Sequence, residues 1–389
     1  MGNAEHPVPK VASRADIAPF YVMEVMKAAA EREALTGDVL HLEVGQPSTG
    51  APEGVLRETE RLLRSGPLGY TDATGIPALR ERIAASYGEL YGVSVDPANV
   101  IVTTGASGAF SLTFLACFDA GDRVALLEPG YPCYRNALEA FGVDVVGLAV
   151  GPETRFQPTA TMLETAGPLD GLVLASPSNP TGSALTAKEL RAVSDWCRAH
   201  GVRLIADEIY HRLSYGHDTP TALSVWNDAV VINSFSKYYS MTGWRLGWIV
   251  APDPLIGPIE RLAQNLTISP PTLSQLVAIR AFECAKELDS HVRRYAANRD
   301  VLLAALPEAG MPQHAPADGA FYAYADTSRL SDDSSELCRS WLSDIGVAAT
   351  PGIDFDPSRG RAWVRFSFAG STGDVTAAAE RLVEWHRRH

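Results

Sequence analysis

The sequence predicts an α/β protein with two parts: a large domain, whose mostly parallel mixed sheet is flanked by helices, and a smaller α+β domain. Between positions 100 and 250, short apolar runs such as VIVTTG, RVALLEP and GLVLASP alternate with segments of helical period such as LTAKELRAVSDWCRAHG. That alternation is typical of a parallel sheet covered by helices on both faces. After about position 270 helical segments dominate, and two strand-like pieces, GAFYAYAD and AWVRFSFA, precede a closing helix.

Chain length and this change of pattern define the predicted domains. The 389 residues exceed one average domain. We expect the large domain over residues 45–285, and the small domain from residues 1–44 together with 286–389. Within the N-terminal part, the spacing predicts a helix from Phe20 to Leu35 that leads into the extended segment LHLEVG.

Charge and cysteine content narrow the possible partners and location. The formal net charge of −13 argues against a broad basic surface for nucleic acid or an anionic membrane. The five cysteines form no CxxC pair, which favours buried thiols in a reducing interior. Because MGNAEHPVPK lacks a basic segment followed by an apolar run, we expect a cytoplasmic protein. The uncharged stretch 97–118 is interrupted by TTGASG, which predicts a strand, a turn and a buried helix.

The segment SFSKYYSMTGWRLGW follows a predicted strand and contains Ser234, Ser236, Lys237 and Arg245. Two hydroxyls and a guanidinium can bind a phosphate, and a neighbouring lysine can attack a carbonyl. An exposed lysine beside an ordinary arginine is the alternative. The apolar and aromatic residues around this pair favour the first interpretation.

Small and polar residues also follow the other predicted strands, at the edge where open α/β sheets bind ligands. Asp207 ends an apolar run, so its carboxylate needs a cationic or protonated partner, unless it only caps a helix. Tyr210 lies three residues later, and Asn179 precedes a proline in SPSNPTG, a sequence that also fits a plain turn. The backbone N–H groups of TTGASG can bind an anion at a helix start, although a tight turn is the competing explanation.

Motifs of other enzyme classes are absent from the sequence. It contains no GxxxxGK, GxGxxG, HExxH or GxSxG, and its nine histidines show no metal-ligand spacing. We therefore expect no metal site.

The order of Asn179, Asp207, Tyr210, Lys237 and Arg245 on successive predicted strand ends resembles one family. It is that of the pyridoxal-5′-phosphate-dependent aminotransferases of fold type I, class I/II, in the aspartate aminotransferase superfamily. The resemblance extends from GQP at Gly45 to the RFSFA segment that contains Arg365, and the motif around Lys237 is highly specific. It implies pyridoxal 5′-phosphate as cofactor, amino-acid and 2-oxo-acid substrates, and a homodimer with shared active sites.

The resemblance also implies roles for individual residues. Lys237 binds the cofactor as a Schiff base and moves the substrate proton, Asp207 pairs with the pyridine nitrogen, and Asn179 and Tyr210 bind the phenolic oxygen. The implied phosphate contacts come from a helix start, hydroxyls and a guanidinium: Gly105, Ala106, Ser107, Ser234, Ser236, Arg245, and Tyr70 of the neighbouring subunit. Tyr131 stacks on the ring. Arg365, aided by Gly45 and Asn179, binds the substrate α-carboxylate, for which a guanidinium fork is well suited.

The absence of Lys and Arg from two segments predicts that the side chain of the amino donor is neutral. Relatives that act on aspartate present a second cation, but FSLTFLACF and NLTISPPTLSQ contain no Lys or Arg. We therefore expect ping-pong transfer from a neutral aliphatic or aromatic donor, such as alanine or valine, to pyruvate or 2-oxoglutarate, with the apolar IAPFYVMEVM segment over the site. Three alternatives remain: an aspartate aminotransferase, in which Arg135 or a partner-subunit residue supplies the cation, a C–S β-lyase, and a non-catalytic ligand-binding regulator.

Overall fold

A computed structural model describes residues 9–389 of the chain. The strands are β1 (Leu40–His41), β2 (Val100–Thr103), β3 (Arg123–Glu128), β4 (Asp144–Ala149), β5 (Gly171–Ala175), β6 (Arg203–Asp207), β7 (Val230–Ser234), β8 (Gly247–Val250), β9 (Tyr322–Asp326), β10 (Val347–Ala348), β11 (Thr350–Pro351) and β12 (Trp363–Ser367). The helices are α1 (Tyr21–Thr36), α2 (Glu53–Leu62), α3 (Pro77–Tyr91), α4 (Gly105–Cys117), α5 (Pro132–Ala140), α6 (Ala160–Thr165), α7 (Ala187–His200), α8 (Asp253–Leu266), α9 (Thr272–Ala281), α10 (Ala285–Glu308), α11 (Ser334–Ile345) and α12 (Thr372–Arg388).

The large sheet has seven strands in the order β2-β8-β7-β6-β5-β3-β4. Strand β8 runs antiparallel to both neighbours, and every other pairing is parallel. The predicted mostly parallel mixed sheet is therefore confirmed. The apolar runs did not predict β4, because three of the six residues of this edge strand are exposed and only Leu148 is buried.

Successive residues of the central strands face opposite sides of the sheet. Val173 and Ile205 belong to one buried apolar cluster, whereas Leu172 and Leu204 belong to the other. Both faces are therefore covered, which explains why the strands read as continuous apolar runs rather than alternating ones.

Strand directions bring the functional segments to one edge of the sheet. Strands β2 and β7 both run antiparallel to β8, and Thr103 and Ser234 both pair with Gly247 at its start. The segments after β2, β3, β5, β6 and β7 therefore meet the segment before β8. Arg245, just before β8, belongs to this edge for that reason.

The C-terminal part contains a separate sheet in the order β11-β12-β9, with antiparallel pairing throughout. The N-terminal strand β1 pairs in parallel with β10 of the same region. Both predicted strand pieces and the N-terminal helix are therefore present. The domain boundaries at residues 45 and 285 stay a prediction.

The uncharged stretch 97–118 forms β2 and α4, as predicted, with a short 3₁₀ turn at Pro97–Asn99 before them. Within residues 9–389, no helix is long and apolar enough to cross a membrane.

Candidate active site

A cavity of about 460 Å³ opens at the edge of the large sheet where the functional segments meet. Most of the predicted site residues line it: Gly45, Ala106, Ser107, Tyr131, Asn179, Asp207, Tyr210, Ser236, Lys237, Arg245 and Arg365. Segments far apart in the chain are thus brought together as the sequence predicted. Gly105, Ser234 and Tyr70 do not line the cavity.

Lys237 follows β7 and is partly buried at the centre of the cavity. Its Nζ donates to the backbone oxygen of Gly45 at 2.5 Å. Burial, reinforced by the charge of Arg365, lowers the pKa of its amine to about 8. An amine with that pKa is neutral in an appreciable fraction of molecules near pH 7, so it can act as a nucleophile or as a base.

Asp207 is the last residue of β6, and it is almost fully buried. Tyr134 donates its hydroxyl to Oδ2, and the backbone N–H of Ile209 donates to Oδ1 at 3.0 Å. Burial raises the pKa of the Asp207 carboxyl to about 6, and these two hydrogen bonds oppose the rise. A protonated ring nitrogen placed against this carboxylate would stabilise its charge.

Sequence reasoning missed Tyr134 and Tyr322, which organise the predicted residues. The hydroxyls of Tyr210 and Tyr322 share a hydrogen bond of 2.7 Å. A Cβ at Gly45 would lie 2.2 Å from the Tyr322 hydroxyl oxygen, so only glycine fits there. Tyr134 lies three residues after Tyr131 on the first turn of α5, but nothing in the sequence shows that Tyr322 would reach β6 and Gly45.

We use the term anion end for the part of the cavity formed by Ala106, Ser107, Ser236 and Arg245. Helix α4 begins at Gly105 with no side-chain cap, so its first backbone N–H groups are available to an anion. A Cβ at Gly105 would lie 2.6 Å from Nη2 of Arg245, so glycine lets the guanidinium approach the helix start. Amides, hydroxyl groups and a guanidinium together form a suitable phosphate site.

Ser234 and Tyr70 do not line the cavity, although the Ser234 hydroxyl lies 2.9 Å from that of Ser236. The Ser234 hydroxyl donates to the backbone oxygen of Leu246 at 3.0 Å and accepts the Ser236 N–H at 3.1 Å. Because that carbonyl can only accept, the single hydroxyl proton of Ser234 is used there. Tyr70 is 84% exposed. Their phosphate contacts stay predictions.

Arg365, on β12, is 2% exposed. It donates to Oδ1 of Asn179 at 3.0 Å and to the backbone oxygen of Glu43 at 2.6 Å. Its guanidinium lies over the rings of Tyr322 and Phe355, 4.5 and 4.8 Å from their centroids. Among residues 9–389 it has no carboxylate within ion-pair distance, and its Nε lacks a hydrogen-bond partner. A buried guanidinium beside a cavity, without a carboxylate of its own, is suited to bind one from a ligand.

Arg135, the residue that could have supplied a further cation, points elsewhere. Its guanidinium pairs with Glu128, and it is not part of the cavity lining. The cations in the lining, as far as the described residues go, are Lys237, Arg245 and Arg365.

The first turns of α1 and the residue before it form an apolar side of the cavity. We call Phe20, Val22, Met23 and Met26 the apolar wall. The Phe20 ring meets the edge of Tyr131, with centroids 6.0 Å apart. The expected position of the IAPFYVMEVM segment over the site is therefore confirmed.

Comparison with known proteins identifies the family of enzymes to which the chain belongs. Residues 37–382 match the family model for aminotransferases of class I and II. The chain belongs to this family. A valine–pyruvate aminotransferase of Mycobacterium tuberculosis is 52% identical over 382 residues, which cover 97% of this chain and 98% of that protein.

Solved structures give the same result. An aminotransferase from M. tuberculosis superposes with a TM-score of 0.96 at 51% identity, covering 98% of this chain and 100% of that one. The aspartate aminotransferase of Thermus thermophilus with maleate superposes with a TM-score of 0.92 at 30% identity, covering 97% and 100%. The fold is thus the one implied by the sequence motifs, and the protein is an aminotransferase rather than a non-catalytic regulator.

Proposed function

We propose that this aminotransferase uses pyridoxal 5′-phosphate to move an amino group from a neutral, aliphatic L-amino acid of the valine type to pyruvate, by a ping-pong mechanism. The observation that carries the substrate class is the distribution of charge in the cavity. We assign its three cations to the cofactor and to the substrate α-carboxylate, and the side formed by Phe20, Val22, Met23 and Met26 is apolar.

The donor set fits this cofactor group by group. The anion end suits its phosphate, the Asp207 carboxylate suits its pyridine nitrogen, and the Lys237 amine suits its aldehyde. Tyr210 and Asn179 would bind the phenolic oxygen, and Tyr131 would cover the ring. Gly105 contributes through its close approach to Arg245. When bound, the cofactor supplies an electron sink for the charge that develops as a bond to the substrate Cα breaks.

Lys237 performs the proton transfer in this proposal. With a substrate amine bound in the cavity, the free Nζ of Lys237 would take the proton from the substrate Cα and later return one. An amine whose pKa is about 8 is suited to both steps near neutral pH. Asp207 keeps the ring nitrogen protonated, because its buried carboxylate gains a cationic partner only in that state.

Arg365 orients the substrate by binding its α-carboxylate. Its guanidinium already contacts two aromatic rings and donates to three acceptors, which are the oxygens of Asn179, Glu43 and Thr350. A side chain with a distal carboxylate would then face the apolar wall without a cation, at a high desolvation cost. A neutral branched side chain gains free energy by burial there.

The 52% identical relative that is named a valine–pyruvate aminotransferase supports the same donor and acceptor. The test is a set of half-reactions of the cofactor-loaded enzyme with valine, alanine, phenylalanine, aspartate and cysteine, followed by the cofactor absorbance. We expect valine to react fastest, and pyruvate to restore the starting spectrum. A preference for aspartate would refute the charge argument, and release of ammonia from cysteine would identify a lyase.

We also propose that the active form is a homodimer with shared sites, and a cytoplasmic location stays a prediction. Four large apolar side chains are exposed on adjoining segments: Leu68, Tyr70, Leu266 and Ile268. The backbone N–H of Thr71 donates to Ser269, which links the two segments. An exposed apolar patch of this kind marks a contact surface, and burying it against a second copy would place Tyr70 near the partner's anion end.

A hybrid experiment tests the shared site. Lys237→Ala and Tyr70→Ala chains are prepared separately, mixed under conditions that exchange subunits, and assayed. In the mixed dimer, one site combines Lys237 of one chain with Tyr70 of the other, so activity should rise well above the sum of the parents. Activity equal to that sum would refute sharing through Tyr70.

A further inference from the structure

Helix α1, which carries most of the apolar wall, has no local side-chain cap at its N-terminus. Its N-cap residue is Phe20, which makes no side-chain cap hydrogen bond. Of its 16 residues only Val22 and Ala29 are buried. A helix with so little buried surface and no local cap belongs to the part of a protein that opens most easily.

The missing cap comes from the other end of the chain. Asp354 ends the 3₁₀ turn Gly352–Asp354 and is itself 4% exposed. Its Oδ1 accepts the backbone N–H of Tyr21 at 3.2 Å, and its Oδ2 accepts that of Val22 at 3.3 Å. A carboxylate at this position satisfies two free N–H groups and interacts favourably with the helix dipole.

Phe355, the residue after Asp354, contacts other parts of the site. The Phe355 ring lies under the Arg365 guanidinium at 4.8 Å, and the Phe355 backbone oxygen accepts the N–H of Gly130 at 3.0 Å. Gly130 directly precedes Tyr131, which the Phe20 ring contacts. Residues 354 and 355 therefore link the apolar wall, the α-carboxylate site and Tyr131, which we propose covers the cofactor ring.

We infer that Asp354 is a positioning residue that fixes the start of α1 and thereby sets the enzyme's preference for branched over small amino-acid side chains. This inference rests on the proposed donor class. Asp354 does not line the cavity, so it acts through Phe20 and Val22 and not by contact with the substrate. A small side chain such as that of alanine makes fewer contacts with the wall and depends less on its position.

A second route by which Asp354 could act is its charge. Burial raises the pKa of the Asp354 carboxyl to about 6, and the charge of Arg365 opposes that rise, so the carboxylate lies within electrostatic range of the α-carboxylate site. Cys133 lies near it as well. A purely electrostatic role would weaken binding of every amino acid by the same factor, whereas a positioning role changes the ratio between donors. The ratio of the valine rate to the alanine rate therefore distinguishes a positioning role from an electrostatic one.

The experiment compares Asp354→Ala and Asp354→Asn with Asp333→Ala in the full-length, cofactor-loaded enzyme. Asp333 is a matched control, because its carboxylate caps α11 through the N–H groups of Ser335 and Glu336 and is not part of the cavity lining. Half-reactions with valine and alanine give the donor ratio. Hydrogen–deuterium exchange of the peptide over residues 16–28, without substrate, reports the helix start.

In Asp354→Ala we expect about tenfold faster exchange at the Tyr21 and Val22 amides, since loss of a cap shifts such an equilibrium by about that factor. The valine rate should fall roughly tenfold and the alanine rate by threefold or less, on the scale of discrimination for a few apolar groups. Asp354→Asn, which keeps one acceptor oxygen, should lie between it and the wild type. Asp333→Ala should leave the ratio and this peptide's exchange unchanged.

Equal losses for both donors, or unchanged exchange at the helix start, would overturn the proposal in favour of a charge effect. If neither donor reacts in the wild type, the proposed donor class is refuted, and hydrogen–deuterium exchange alone tests the cap. Faster exchange in both Asp354 variants then supports the cap by Asp354, and unchanged exchange refutes that cap. If Asp354→Ala does not fold, Asp354→Asn carries the same comparison.

Discussion

The anion end and the apolar wall lie on the same cavity but are built differently. The anion end comes from three short segments, two that directly follow β2 and β7 and one that directly precedes β8, and its conformation is fixed by the sheet register and by the tight contact between Gly105 and Arg245. The apolar wall comes from a helix with two buried residues, capped by a carboxylate 333 positions away along the chain. The proposed phosphate site thus rests on local structure, and the proposed substrate preference rests on long-range tethering.

The largest expected effect is at the centre of the cavity. Lys237→Ala should reduce the valine half-reaction by at least about 100-fold, because general acid–base catalysis contributes on the order of 10² to 10⁴ in rate. It should also remove the cofactor absorbance of the covalent complex. Lys188→Ala, at an exposed position on α7, is the control. Near-normal turnover in Lys237→Ala would show that Lys237 does not perform the proton transfer.

Arg365 belongs to neither region, so its variant tests α-carboxylate binding separately from both. Arg365→Lys keeps the charge but loses the planar fork, and we expect valine and alanine to lose roughly 10-fold to 100-fold in kcat/KM, by the same factor. A steady-state panel with both donors measures this. Loss for valine alone would move Arg365 from α-carboxylate binding to side-chain selection.

A cation placed on the apolar wall should change the preference without disturbing the anion end. Met23 is 56% exposed at the wall, so a longer charged side chain can be accommodated there. Met23→Arg should raise the ratio of aspartate to valine activity about tenfold, because it supplies the missing partner for a distal carboxylate. Met23→Gln, of similar length and uncharged, is the control. An equal ratio in both variants would mean that side-chain charge is selected elsewhere.

The remaining expected effect is on stability rather than on activity, and it concerns the buried acid next to Asp207. Burial raises the pKa of the Glu208 carboxyl to about 8, although the N–H of Ala222 and the hydroxyl of Thr221 oppose the rise. Because the folded pKa exceeds the unfolded one, this group stabilises the fold below about pH 4.5, and the contribution is lost as pH rises to about 8. Urea unfolding of Glu208→Gln should therefore show a weaker fall in stability across that range, by up to about 1 kcal/mol per pH unit. Identical pH profiles for the variant and the wild type would contradict the raised pKa.

The sequence predicted the anion end and its neighbours because their signals are local. Lys237 and Arg245 belong to one motif, Asp207 ends an apolar run, and alternating strands and helices bring such segments to one edge. Tyr322 and Asp354 could not be predicted in this way, because their roles depend on how β9 and β11 pack against distant segments. Ser234 is a case in which the motif predicted too much. The motif predicts a phosphate contact for Ser234, but its hydroxyl donates to the backbone oxygen of Leu246.

The attachment of α1 has a consequence for protein engineering. Few of its side chains are buried, and its start is fixed mainly through backbone N–H groups, which every residue except proline provides. Positions 20, 23 and 26 can therefore be randomised together as one cassette while Asp354 and the anion end stay intact. A library confined to these three positions would search for new amino donors without repeated repair of the catalytic centre.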